Sequence, residues 1–192
     1  MIFVLWKLTG GSDLVSLQPG IKVVDIPVQN AIKEPEPFEF KGYKITPLAD
    51  FKLQAKVLAK EHYHLGKESE LSPVDLALGW GDMSDQQVVD QIQFSQSGRW
   101  YRWSVEQFPI PRRAIETQSA NMHMVPSEEW IAKQLDNTKE GQIVALKGFL
   151  VRIDAKEQQW HWQSSLTRED TGGGACELIY LTDFQIIESK SR

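Results

Sequence analysis

Apolar and polar positions alternate with a period of two over much of this chain. In FEFKGYKITPL, Phe38, Phe40, Tyr43 and Ile45 alternate around a KG turn, and after Pro47 the run FKLQAKVLAKEHYH turns Phe51, Leu53, Ala55, Val57 and Ala59 one way and Lys52, Gln54, Lys56 and Lys60 the other. Such a pattern predicts a strand with one wet face. Helix signals follow. Ser72 and Pro73 form an N-cap and first-turn pair leading into VDLALGW, and Ser84 with Gln87 resembles a capping box before VVDQI, with Gly79 and Gly81 as a hinge around Trp80. Strand character returns in FSQSGRWYRWSVEQF, which FPIPRR closes, and in SANMHMV. One short helix is predicted over PSEEWIAKQL, with Ser127 as its cap. GQIVALKGFLVRI, WHWQSSL and CELIYLTDFQII finish the chain as strands. Strands, then helices, then strands indicate an α+β fold built on a β-rich antiparallel sheet or a small barrel.

Residues 1–37 read as an N-terminal leader and linker, with Ile21, Val23 and Ile26 as its apolar anchors, and 38–192 as a single globular domain. Met1–Leu8 is apolar except for Lys7, far shorter than the roughly 20 residues that span a bilayer. It is either the remnant of a longer anchor or a first strand. With 192 residues, seven tryptophans and eight phenylalanines, the chain has material for a sizeable core. Its net charge of −5 argues against general nucleic-acid binding, which needs clustered Lys and Arg. A single cysteine rules out an internal disulfide, and four scattered histidines and that one thiol make no zinc motif.

The rhythm G-x-I-V-x-L-x-G-x-L-V-x-I, followed by an aromatic strand, a glycine loop and a further strand, resembles small OB-type or SH3-like barrels over Gln142 to Ile187, with Gly148 as the bending residue. The words DLALGWGDMSD, SGRWYRW, FPIPRR, SANMH and SSLTREDTGGGACE together resemble a family of uncharacterised bacterial proteins from Phe38 to Ile187. That resemblance implies an N-terminal hydrophobic anchor and an envelope location on the periplasmic side, with cytoplasm as the alternative. It transfers no activity, and it implies a histidine where this chain has Gln118.

Two sets of residues carry candidate chemistry. Arg99, Trp100, Arg102, Trp103, Arg112 and Arg113 bring guanidinium and aromatic planes together, and Thr167, Arg168, Gly172 and Gly173 add a loop whose N–H groups suit an anion. From these the expected function is a non-enzymatic binding or assembly module of the bacterial envelope. Its partner would be an anionic or glycan ligand or an envelope protein, with membrane contact only through the N-terminus. The alternative is a cysteine-dependent hydrolase or transferase: Cys176 attacks, His123 takes the thiol proton, and Asn121 or Asp170 orients the imidazole. No cofactor motif is present. His62 and His64 share a strand face but lack a third ligand at a telling spacing, and Asp75, Asp82 and Asp85 lack calcium-loop spacing, so no metal site is expected.

Overall fold

The computed structural model describes residues 14–156, 159–167 and 176–188. Its long strand β3 (Tyr43–His62) forms where the alternation predicts, and it starts earlier, running straight through Pro47. The pairing register slips between Pro47 and Ala49, and such a bulge is where a strand interior tolerates proline. Before it lie β1 (Val28–Ala31) and β2 (Phe38–Phe40), both antiparallel to β3.

The segment after β3 departs from expectation. The helix is α1 (Lys67–Leu71), and VDLALG is strand β4 (Val74–Gly79), buried at every position. A short apolar run of Leu and Ala carries no period that separates helix from strand, and burial on both sides decides for the strand. Next come a 3₁₀ turn (Gly81–Ser84) and α2 (Gln86–Val89), whose cap is Asp85, accepting from the Gln87 N–H. Ser84 binds the leader instead, its Oγ accepting from the N–H groups of Lys22 and Val23. In that leader Leu17 and Val23 are buried, whereas Ile21 and Ile26 stand in solvent.

The aromatic strand expected around SGRWYRW folds back on itself as a hairpin of β5 (Ile92–Ser97) and β6 (Trp100–Val105). Gly98 and Arg99 form its turn at φ 57° and 68°, the left-handed geometry that two-residue hairpins favour. Then follow α3 (Arg112–Thr117), β7 (Ser119–Pro126), α4 (Glu129–Asn137), β8 (Ile143–Ala155), β9 (His161–Gln163) and β10 (Glu177–Glu188).

Eight strands make one sheet, in which β3 pairs with β4, β4 with β7, β7 with β10, β10 with β8, and β8 with β3 again. The path of hydrogen bonds therefore returns to its start through five strands. All these pairs are antiparallel except β7 with β10, so the sheet is mixed. The main core, with Phe51, Leu53, Trp80, Met122, Met124, Leu146 and Phe184, fills one face. Gly148 sits where β8 presses on β10: a Cβ there would come within 2.0 Å of the Tyr180 carbonyl oxygen, so only glycine fits. A second cluster, around Leu58, Met83 and Ile115, packs beneath the hairpin against Phe94, Tyr101 and Trp103. A third, around Ile45, Val125 and Leu178, is flanked by Tyr43, Trp160, Trp162 and Tyr180. No helix among the described residues is long and apolar enough to cross a membrane.

Candidate functional site

Register across β4, β7 and β10 assembles the site. His123 stands opposite Asp75 on one side and Leu178 on the other, and Asn121 stands opposite Ala77. Cys176 immediately precedes β10, beside Asn121. Side chains two apart on a strand share a face, so Asn121, His123, Asp75 and Cys176 all project to the side away from Met122 and Met124.

The imidazole of His123, 4% exposed, is held from three directions. Its Nδ1 lies 2.9 Å from Oδ2 of Asp75, the Cys176 thiol is near enough to favour a charged ring, and the Trp162 ring packs over it at 4.8 Å between centroids. The approach of Nδ1 to the carboxylate is a close ion-pair contact in which neither Nδ1 nor Oδ2 has an aligned hydrogen bond. Burial works against a charged ring here. The acceptor and charge interactions of Asp75, with Cys176 adding to them, outweigh it and raise the His123 pKa from 6.5 to about 9.

Asp75 is fully buried and serves two partners. Its Oδ1 accepts from Arg99 Nη1 at 2.5 Å while Oδ2 faces the histidine. Arg99 reaches inward from the hairpin turn, donates through Nη2 to the Ser72 carbonyl at 2.8 Å, lies 3.7 Å from Glu68, and stacks its guanidinium on Tyr63 at 3.9 Å. The Tyr63 hydroxyl accepts from the Arg99 N–H at 2.9 Å. Backbone strain at positive φ is therefore offset by a fully engaged side chain.

Asn121 does not orient the imidazole. Its Nδ2 donates to the Arg99 carbonyl at 3.1 Å and approaches the Cys176 sulfur at 3.7 Å, and its Oδ1 accepts from Gln96 Nε2 at 2.6 Å. Cys176 is half-buried, its sulfur 3.9 Å from the same Arg99 carbonyl.

The structure disperses the residues expected to form an arginine and tryptophan surface. Arg99 is engaged in the buried cluster, with 14% of its side chain exposed. Arg112 pairs with Glu116 one helical turn away on α3, where Arg113 is exposed beside it. Arg102 lies on the outer face of β6 and reaches Ser97 Oγ at 3.3 Å. Trp100 is 44% exposed on that same face, whereas Trp103 is half-buried against the second cluster, near Phe108. Thr167 turns back to Ser165, whose Oγ accepts from its N–H. Asp170, Arg168, Gly172 and Gly173 lie outside the described residues. Gln118 contacts the Asp82 loop, its Oε1 accepting from the Asp82 N–H at 2.6 Å, so a histidine there would belong to a different neighbourhood. His62 and His64 stack at 6.2 Å, and among the described residues no three His, Cys, Asp or Glu side chains gather to hold a metal.

Sequence reasoning missed Asp75 as a member of this site. A carboxylate in the apolar run VDLALG was the available signal, because a charge on a strand buried on both sides requires a partner. No family model matches the chain, and neither the curated proteins nor the solved structures contain a significant match.

Proposed function

We propose that the chain is a cysteine-dependent hydrolase or transferase in which Cys176 is the nucleophile, His123 the base and Asp75 the group that holds the imidazole. The observation that carries this reading is the convergence of thiol, imidazole and buried carboxylate from three adjacent strands. A nucleophile within reach of a base, and that base oriented by a third group, is the arrangement covalent catalysis requires. The raised pKa keeps the ring protonated near neutral pH, so the thiol proton already rests on it. The sulfur bonds to an electrophilic carbon as a thiolate while the Asp75 carboxylate, its Oδ2 2.9 Å from Nδ1, stabilises the positive ring. The proton then goes to the departing group as its bond to carbon breaks. Water or a second nucleophile, deprotonated by His123, releases the bound group from sulfur. Arg99 holds Asp75 from behind and leaves Oδ2 aimed at the ring.

Alkylation by iodoacetamide tests this. Cys176 should react faster at neutral pH than free cysteine, and His123→Gln should abolish the advantage. Slow labelling of the folded protein would remove the proposal.

The ring of strands supports a barrel of OB type as the scaffold, because its order follows the chain as first, second, third, fifth and fourth, with α4 between the third and fourth strands. The outer face of the hairpin, where Trp100 and Arg102 stand together in solvent, supports a contact role beside the thiol. Trp100→Ala and Arg102→Ala should then weaken capture of a substrate without lowering the melting temperature, and loss of folding would show them to be structural instead.

A further inference from the structure

We infer that the thiol acts on acyl carbon, in a carboxylic ester, thioester or amide, and that Asn121 is the catalytic donor to the oxyanion formed there, with Gln96 as its positioning residue. This rests on the reading of Cys176 as nucleophile and narrows the substrate class of that same site.

The carboxamide of Asn121 has one possible orientation. Its oxygen accepts from Gln96 Nε2 at 2.6 Å, so the amide nitrogen must face the other way, toward the Arg99 carbonyl at 3.1 Å and the Cys176 sulfur at 3.7 Å. The flip is fixed by a donor on one end and acceptors on the other. One N–H is used by the Arg99 carbonyl. The second is directed at the sulfur itself, 3.7 Å away, and so lies beside the place where the oxygen of an attacked carbonyl would form.

An N–H placed there has a use when sulfur attacks a carbonyl. The new S–C bond pushes the π electrons onto oxygen, which then sits one atom beyond the sulfur, and a fixed donor beside that position stabilises the charge. Attack on an alkyl carbon would send charge to a leaving group on the opposite side, where Asn121 does nothing. The orienting bond is costly to keep. The other end of Gln96, Oε1, is buried without a hydrogen-bond partner among the described residues, so the hairpin buries an unpaired carbonyl oxygen while fixing the Asn121 amide. Gln96 and the Arg99 carbonyl both come from the two strands and turn that also deliver the Arg99 guanidinium to Asp75.

Two probes separate this role from a structural one in the full chain. Iodoacetamide alkylates by displacement and develops no oxyanion. p-Nitrophenyl acetate acylates sulfur through one, and releases nitrophenolate in a burst. Asn121→Ala should lower the acylation rate by about 100-fold, the effect of losing one oxyanion donor, and alkylation by no more than about tenfold, so that the ratio of the two rates falls. Gln96→Leu should lower acylation by about tenfold with alkylation unchanged, and it decides the matter alone if Asn121→Ala does not fold. Acylation and alkylation falling by the same factor, or acylation unaffected in either variant, would overturn the assignment. A wild-type chain that alkylates rapidly but is never acylated would overturn the acyl class while sparing the activated thiol. A wild-type chain slow in both would overturn the thiol reading itself.

Discussion

Asp75 carries two cationic partners on one carboxylate, and most of the site's energetics follow from it. Removing it by Asp75→Ala leaves the Arg99 guanidinium and the His123 ring buried without their counter-ion, which should cost about 3–5 kcal/mol in a denaturant titration. Asp75→Asn keeps the shape and withdraws the charge, and should slow alkylation of Cys176 by at least about tenfold. His123 links the same cluster to pH. Its pKa is raised from 6.5 to about 9 in the folded chain, so the protonated ring stabilises the fold fully below pH 6.5, and that contribution is lost as pH rises through 9. The groups around it are Asp75 on β4, Cys176 on β10, Arg99 from the hairpin with Glu68 behind it, and the uncharged Trp162. The melting temperature of the wild-type chain should therefore fall between pH 6.5 and 9 by the equivalent of a few kcal/mol, and His123→Gln should flatten that slope. An unchanged slope would place the titration elsewhere.

At the scale of elements, the β5–β6 hairpin matters most, because its turn delivers one side chain to Asp75 and one carbonyl to Asn121. Arg99→Gly relieves the positive φ but deletes the guanidinium, and the net effect on a thermal melt should be destabilising. A gain in stability would mean that the buried contacts are worth less than the strain. The contact of β8 with β10 is equally tight. Gly148→Ala puts a methyl 2.0 Å from the Tyr180 carbonyl and should cost about 3 kcal/mol. These elements differ in how far the chain announced them. β3 was readable because much of one face is wet; the pattern failed at Lys56, expected outward yet buried where its Nζ donates to Gln86 Oε1, and at Lys60, half-buried with its Nζ donating to the carbonyls of Leu135, Asp136 and Thr138. β4 was not readable as a strand, since Leu and Ala suit either period, and the helix assignment hid Asp75. Arg99 was legible as a cation but not as a buried one, because its direction is set by a turn whose geometry depends on the pairing of Ile92–Ser97 with Trp100–Val105.

For the whole molecule, the strand rhythm of the last third is half of a longer pattern. Ring closure needs β3 and β4 from the first half of the chain, with Tyr43 paired to Ala155 and Lys56 to Ile143, and no local period reports such distant partners. The same distance explains why Cys176 and His123 could be named from residue type alone while their meeting could not. The leader is part of this assembly. Leu17 and Val23 enter the main core, and Gly141 leaves room for the Val15 carbonyl, which a Cβ would meet at 1.7 Å. Deleting residues up to 27 should cost about 3–6 kcal/mol from the loss of two buried side chains, seen as a lowered melting temperature. A truncated chain as stable as the parent would show that the leader is only a tether.

The rate of iodoacetamide alkylation at Cys176 near neutral pH, measured beside free cysteine and in His123→Gln, bears most directly on the thiol, imidazole and carboxylate acting as one unit. The account predicts a wild-type rate above that of free cysteine and a variant rate well below the wild type. A wild-type thiol that reacts no faster than free cysteine, at a rate indifferent to His123, would contradict it.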